Sequence, residues 1–146
     1  MTSDPNTEAE NSHPAHGLSV RVYYEDTDAG GILYHGSHVR FLERGRTEYL
    51  RALGIDQSSM LETAPEDRFL FVVRRLELDY LKPARLDDLL TVVTRPLEIG
   101  AARLIIEQSI LRGEEVILTA VVTVVAIGGD GRPRRIGPDL RQRLMP

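Results

Sequence analysis

The sequence predicts an α+β fold in which a five-stranded antiparallel sheet packs one face on a single long helix. Two patterns carry that expectation. One stretch, Val39 to Leu53, repeats its apolar residues at helical spacing, whereas four later stretches are rich in β-branched residues and are divided by proline or glycine. The order supplies a third observation, because one strand, one long helix and four more strands leave too few helices for a doubly wound sheet.

The opening segment MTSDPNTEAENSHPAHG (residues 1–17) has two prolines and almost nothing apolar. It cannot bury enough surface to offset its ordering entropy, so it reads as a disordered tail in which His13 and His16 are incidental. A single domain then spans residues 18–146. Leu18, Val20, Val22 and Tyr24 alternate with Ser19, Arg21 and Tyr23, the period of a half-buried strand. Val39, Leu42, Arg46, Tyr49, Leu50 and Leu53 share one helical face, with Ser37 the expected N-cap and Gly54 the stop. Arg46 interrupts that face. Gly45 costs about 1 kcal/mol against alanine inside a helix, which suggests a close approach by another element.

IDQSSMLETAPEDR reads as a loop. The remaining strands are FLFVVRRLELDYL, ARLDDLLTVVTRPLEI, ARLIIEQSILR and EVILTAVVTVVAI, with a hairpin turn expected at Arg112-Gly113-Glu114. GGDGRPRRIGPD ends the sheet, and PDLRQRLMP forms a short terminal helix. One helix cannot cover both faces of such a sheet or seal its edges, so a homo-oligomer is expected.

Composition narrows the function. The net charge is −4, from 18 basic and 22 acidic side chains. Without Asp4, Glu8 and Glu10 of the tail, 19 acids face 18 bases, so no basic surface invites nucleic acid. The absence of cysteine excludes a disulfide framework and a thiolate metal site. No apolar run nears the roughly 20 residues of a bilayer span, and the N-terminus lacks the apolar core of a secretory signal. A cytoplasmic protein without stable membrane insertion is expected.

The stretch YYEDTDAGGILYHGSH, Tyr23 to His38, gathers Glu25, Asp26 and Asp28 before Gly30-Gly31 and then Tyr34-His35. Three readings compete. Asp side chains in such a run bond local amides and make a tight turn. Asp26, Asp28, His35 and His38 have the ligand types of a zinc or manganese site, but no sharper metal spacing accompanies them. A carboxylate at a strand end could instead face a helix N-terminus, whose free N–H groups stabilise a developing oxyanion.

RVYYEDTDAGGILYHGSHVRFLERGRTEYLRALG, followed by FVVRRLELDYLKPARLDDLLTV, resembles the hotdog-fold acyl-CoA thioesterases. Within these it is similar to the 4-hydroxybenzoyl-CoA thioesterase branch, and most to the YbgC family encoded beside the Tol-Pal envelope system. The similarity runs from Leu18 to Leu144. It implies hydrolysis of an acyl-CoA, or of an acyl-carrier-protein thioester, without metal or cofactor. Asp28 matches the catalytic carboxylate, acting as nucleophile or general base, and His35 matches the position whose backbone N–H polarises the thioester carbonyl. Glu25 and Asp26 read as structural. Glu43 sits where a second hotdog branch carries its acid, but its spacing from Arg46 suggests an ion pair within the helix.

Coenzyme A needs cations for its phosphates, and the candidates are Arg74, Arg75, Lys82 and Arg103, with Arg132, Arg134 and Arg135 after the last strand. The basic cluster that the hydroxybenzoyl branch carries between its third and fourth strands is reduced here, in EIGAARL, to Arg103. Tyr34, Phe41 and Tyr49 are candidates for the acyl pocket. The resemblance further implies a dimer or a dimer of dimers (a homotetramer), with the site at the dimer interface. Two other functions fit the same residues: a hotdog enoyl-CoA hydratase using the His35 side chain, and a non-catalytic acyl-CoA or carrier-protein binding module.

Overall fold

The structure, a computed structural model, describes residues 15–62, 64, 66 and 68–145. Its elements are β1 (His16–Arg21), a 3-10 turn (Tyr24–Asp26), α1 (His35–Ala52), α2 (Gln57–Leu61), β2 (Phe69–Tyr80), β3 (Leu89–Ile99), β4 (Arg103–Arg112), β5 (Glu115–Gly128) and α3 (Pro138–Leu144). The five strands form one antiparallel sheet in the order β1-β3-β4-β5-β2, and α1 packs across one face. The predicted strand, long helix, four strands and terminal helix are all present. Among the described residues no helix is long and apolar enough to cross a membrane.

Several boundaries differ from the sequence expectation, each for a local reason. β1 starts at His16, so His16 and Gly17 belong to the sheet rather than to a tail; residues 1–14 lie outside the described residues. β1 also stops at Arg21 rather than Tyr24. There Asp26 Oδ2 accepts the Tyr23 N–H at 2.9 Å, and the chain bends into the 3-10 turn, leaving Tyr24 84% exposed. The IDQSSML stretch holds α2 rather than only loop, because the Asp56 carboxylate caps it by accepting the Ser58 N–H at 3.1 Å. β3 begins at Leu89, not Ala84, since Asp87 takes a φ of 72° and Asp88 Oδ2 accepts the Arg85 N–H at 2.9 Å.

The core lies between α1 and the inner face of the sheet. Phe41, Leu42, Tyr49 and Leu50 meet Leu90 and Val92 of β3, Leu104, Ile106 and Ile110 of β4, and Leu118, Ala120 and Val122 of β5. Burying each large side chain contributes about 1.5–3 kcal/mol. α3 closes one end with the buried Leu144, whose carbonyl faces the Tyr49 hydroxyl at 3.4 Å. The opposite sheet face, with Thr91, Val93, Ile105, Thr119 and Val121, carries no helix among the described residues and stays half-buried.

Gly45 explains the close seat of α1. A Cβ there would stand 2.5 Å from Val92 Cγ1 and 3.2 Å from both Thr94 Oγ1 and Gln108 Nε2. Overpacking costs about 1–3 kcal/mol, against roughly 1 kcal/mol that alanine gains in helix propensity. Gly45→Ala is therefore expected to lower the urea unfolding free energy, by up to about 2 kcal/mol. A stabilised variant would show instead that Val92 moves aside without cost.

Candidate active site

The acidic turn is built around Asp26. This residue is 3% exposed, and its carboxylate accepts the Tyr23 N–H at 2.9 Å and Arg40 Nη2 at 3.2 Å. Its carbonyl accepts the Tyr34 N–H at 2.9 Å and the Ser37 hydroxyl at 3.0 Å, while Arg40 Nη2 also donates to Ser37 Oγ at 2.8 Å. One residue thus fastens the strand end to the first turn of α1. Ser37 is buried in that turn rather than serving as the expected N-cap; Tyr34 is the cap, without a side-chain bond.

Asp28 lies at the tip of a small hairpin. Thr27 pairs with Leu33, the Asp28 N–H donates to Ile32 O at 2.8 Å, and the Gly31 N–H donates to Asp28 O at 3.1 Å. Gly31 has a φ of +76°, which a side chain would strain. Asp28 Oδ1 accepts the amides of Gly30 at 2.8 Å and Ile32 at 3.2 Å, whereas Oδ2 has no partner among the described residues. The carboxylate is exposed and anchored through one oxygen, with the other free.

α1 starts three residues after Ile32, at His35. The N–H groups of His35 and Gly36 precede every intrahelical acceptor and find none outside the helix among the described residues. The His35 ring is exposed and lies 4.3 Å from the Tyr34 ring, centroid to centroid. His38, in the first turn of α1, is buried, with Nδ1 3.2 Å from the Tyr34 carbonyl. Burial pulls its pKa below the usual imidazole range.

The DYLKPAR segment holds this hairpin in place. Leu33 N–H donates to Ala84 O at 2.8 Å, Leu86 N–H donates to Gly31 O at 3.1 Å, and Ile32 bridges to Arg85. The Tyr80 hydroxyl donates to His35 O at 2.8 Å. The segment is fixed in turn to the β4–β5 hairpin. Arg112 Nη1 donates to Asp88 at 2.8 Å and to Pro83 O at 3.1 Å, and its Nη2 reaches Glu115. Two stretches some fifty positions apart in the sequence therefore form one rigid site wall. The sequence offers both as motifs, but not their pairing.

The proposed coenzyme A cations do not converge within one chain. Lys82 lies at the Tyr80 end of β2 but is paired with Glu115 at 3.4 Å. Arg74 falls at a bulge midway along β2, and Arg75 is paired with Glu77. Arg103 opens β4 beside Glu98 at 3.7 Å. Arg132 and Arg134 line a groove with Asp130, next to the Phe69 end of β2, and Arg135 follows them in the chain. Twelve residues of extended β2 separate that end from Tyr80, a span of roughly 35 Å.

Glu43 stands at a cleft of about 200 Å³ with Arg46, Thr47, Leu50, Gln57, Phe71 and Val73. The expected Glu43–Arg46 ion pair is absent among the described residues, because Arg46 turns inward and donates to Gln108 Oε1 at 3.1 Å. Phe41 and Tyr49 fill the core, so of the three aromatic candidates for the acyl pocket Tyr34 alone is exposed, beside the helix start. No group of three or more His, Asp and Glu among the described residues is arranged to hold a metal ion.

Residues 30–128 match the thioesterase superfamily, 4HBT. The chain belongs to that family. The YbgC acyl-CoA thioesterase of Haemophilus influenzae is 46% identical over 108 residues, 74% of this chain and 77% of the relative. A probable thioesterase from Bartonella henselae has the same fold with a TM-score of 0.81, at 39% identity over 85% of this chain and 100% of its own. A Thermus thermophilus thioesterase solved with coenzyme A and zinc follows at 0.75 and 26%, covering 89% of this chain and 97% of its own. The sheet wrapped on α1 is the hotdog fold of these thioesterases, as the resemblance implied.

Proposed function

We propose that this thioesterase hydrolyses acyl-CoA thioesters to free acid and coenzyme A. The observation that carries the reading is the hairpin that joins a half-free carboxylate, Asp28, to a helix start whose first two N–H groups have no acceptor among the described residues. A thioester carbonyl seated at the helix start would place its developing oxyanion on the His35 and Gly36 amides. There the helix dipole adds roughly half a positive charge. Asp28 Oδ2 then either attacks the carbonyl carbon, expelling the coenzyme A thiolate and leaving an anhydride for water to open, or takes a proton from an attacking water. Both routes end in acid and thiol.

The active form is a homodimer, in which β2, one of the two edge strands of the sheet, pairs with its copy. Exposed Val72, Val73, Tyr80 and Leu81 support this, since such an edge invites pairing. Antiparallel pairing along β2 would carry the partner's Arg132–Arg135 loop toward this chain's Asp28, which accounts for cations dispersed within one chain. Carrier-protein thioesters offer the same acyl group and are alternative substrates.

Free-thiol release from short aliphatic, long aliphatic and aromatic acyl-CoAs tests the reading, and the chain has no cysteine to react with the thiol dye. Turnover of at least one class is expected. Binding without turnover across the panel and across carrier-protein thioesters would turn the protein into a binding module.

A further inference from the structure

Behind the two leading amides of α1 stand two side chains that the proposed chemistry does not use. Each of those amides shares a peptide plane with a carbonyl on its other side. The plane that carries the His35 N–H carries the Tyr34 C=O, which accepts the Ser37 N–H at 2.8 Å and faces His38 Nδ1 at 3.2 Å. The plane that carries the Gly36 N–H carries the His35 C=O, which accepts the Tyr80 hydroxyl at 2.8 Å, in addition to the bond any helix carbonyl accepts. A carbonyl only accepts, so His38 holds its proton on Nδ1. The two side chains also fix each other, their rings meeting edge to face at 4.9 Å and 87°.

We infer that Tyr80 and His38 are positioning residues that polarise the oxyanion site from behind, each pulling electron density toward a carbonyl and sharpening the N–H at the far side of the same peptide. The inference rests on the helix-start reading given above. Hydrogen bonds in series strengthen one another by about 10–30% each. Burial lowers the His38 pKa from the usual imidazole value, which favours the neutral ring as the donor. Tyr80 has a second structural reason to be here: it ends β2, the strand on the far edge of the sheet, and is the point where that edge touches the helix start.

The test uses Tyr80→Phe, which keeps the ring against His38 and deletes one hydroxyl, with His38→Phe as the second variant. The probe is a ketone analogue of an acyl-CoA, with a methylene in place of the thioester sulfur and ¹³C at the carbonyl. Its C=O stretch is read by infrared difference spectroscopy in the bound state. In the wild-type protein the stretch is expected to lie below its value in water, and in Tyr80→Phe it is expected to move part of the way back. The same variant should lose about two- to eightfold in kcat, the effect of weakening one oxyanion donor by that fraction, with KM little changed. A lowered stretch that is identical in wild type and both variants would overturn the role of Tyr80 and His38 while leaving the helix-start site standing. A wild-type stretch equal to that in water would remove the helix-start site and this inference with it.

Discussion

Asp28→Asn is expected to reduce kcat by about 10²- to 10⁴-fold while leaving the fold, the thermal midpoint and the oligomer unchanged, the loss being that of a positioned proton acceptor or nucleophile. The substitution separates two jobs that one side chain performs. Oδ1 holds the hairpin by accepting the Gly30 and Ile32 amides, and an asparagine oxygen accepts the same two bonds. Oδ2 is the free atom, and in asparagine it becomes an amide nitrogen that neither attacks nor takes a proton. Asp28→Ala confounds the two, since it also strips both amides of their acceptor and loosens the turn, at about 1 kcal/mol for each bond lost. Saturating kinetics on the best acyl-CoA, with the melting curve recorded beside them, measure the difference. Full turnover by the asparagine variant would sink the assignment and move the chemistry to Glu43, the exposed carboxylate at the cleft beside Arg46.

The architecture was legible because each element states its period locally. The helix face from Val39 to Leu53, the β-branched runs and the Gly113 turn follow rules that span a few residues, and α1 and the strands stand where those rules put them. Boundaries failed where a side chain competed with the regular backbone: the carboxylates of Asp26, Asp56 and Asp88 each captured an amide that a strand or loop reading left unassigned. The helix-start sequence Tyr34-His35 was visible as a motif, yet what holds it was not. Tyr80 lies 45 positions away from His35, and nothing short of the fold itself reports that its hydroxyl reaches that carbonyl. Likewise the spacing of Glu43 and Arg46 permits an ion pair on any isolated helix. Tertiary structure overrides it by offering Arg46 a buried amide oxygen instead.

That buried amide sets the second large effect. Gln108 is 1% exposed, and its Nε2 donates to Leu42 O at 3.0 Å and Thr94 Oγ1 at 2.9 Å, while its Oε1 accepts Arg46 Nη1. Arg46 is itself 9% exposed, and burial pulls its pKa down, partly opposed by the nearby Glu43 charge. Gln108→Leu fills a similar volume but strands a buried guanidinium and a buried threonine hydroxyl. An orphaned charge of this kind costs about 3–5 kcal/mol, reduced toward about 2–4 here because the guanidinium lines an open cleft that admits water. Urea unfolding should therefore show a much lower midpoint at an unchanged slope. Adding Arg46→Met removes the stranded charge, so the double variant is expected to recover most of that loss, giving a coupling of about 2 kcal/mol between the two positions. Strict additivity would mean that Arg46 finds water or Glu43 as readily as Gln108, and that the polar link between α1 and β4 is incidental to stability. Strong coupling would instead identify the link as the reason a charged residue interrupts the apolar face of the central helix.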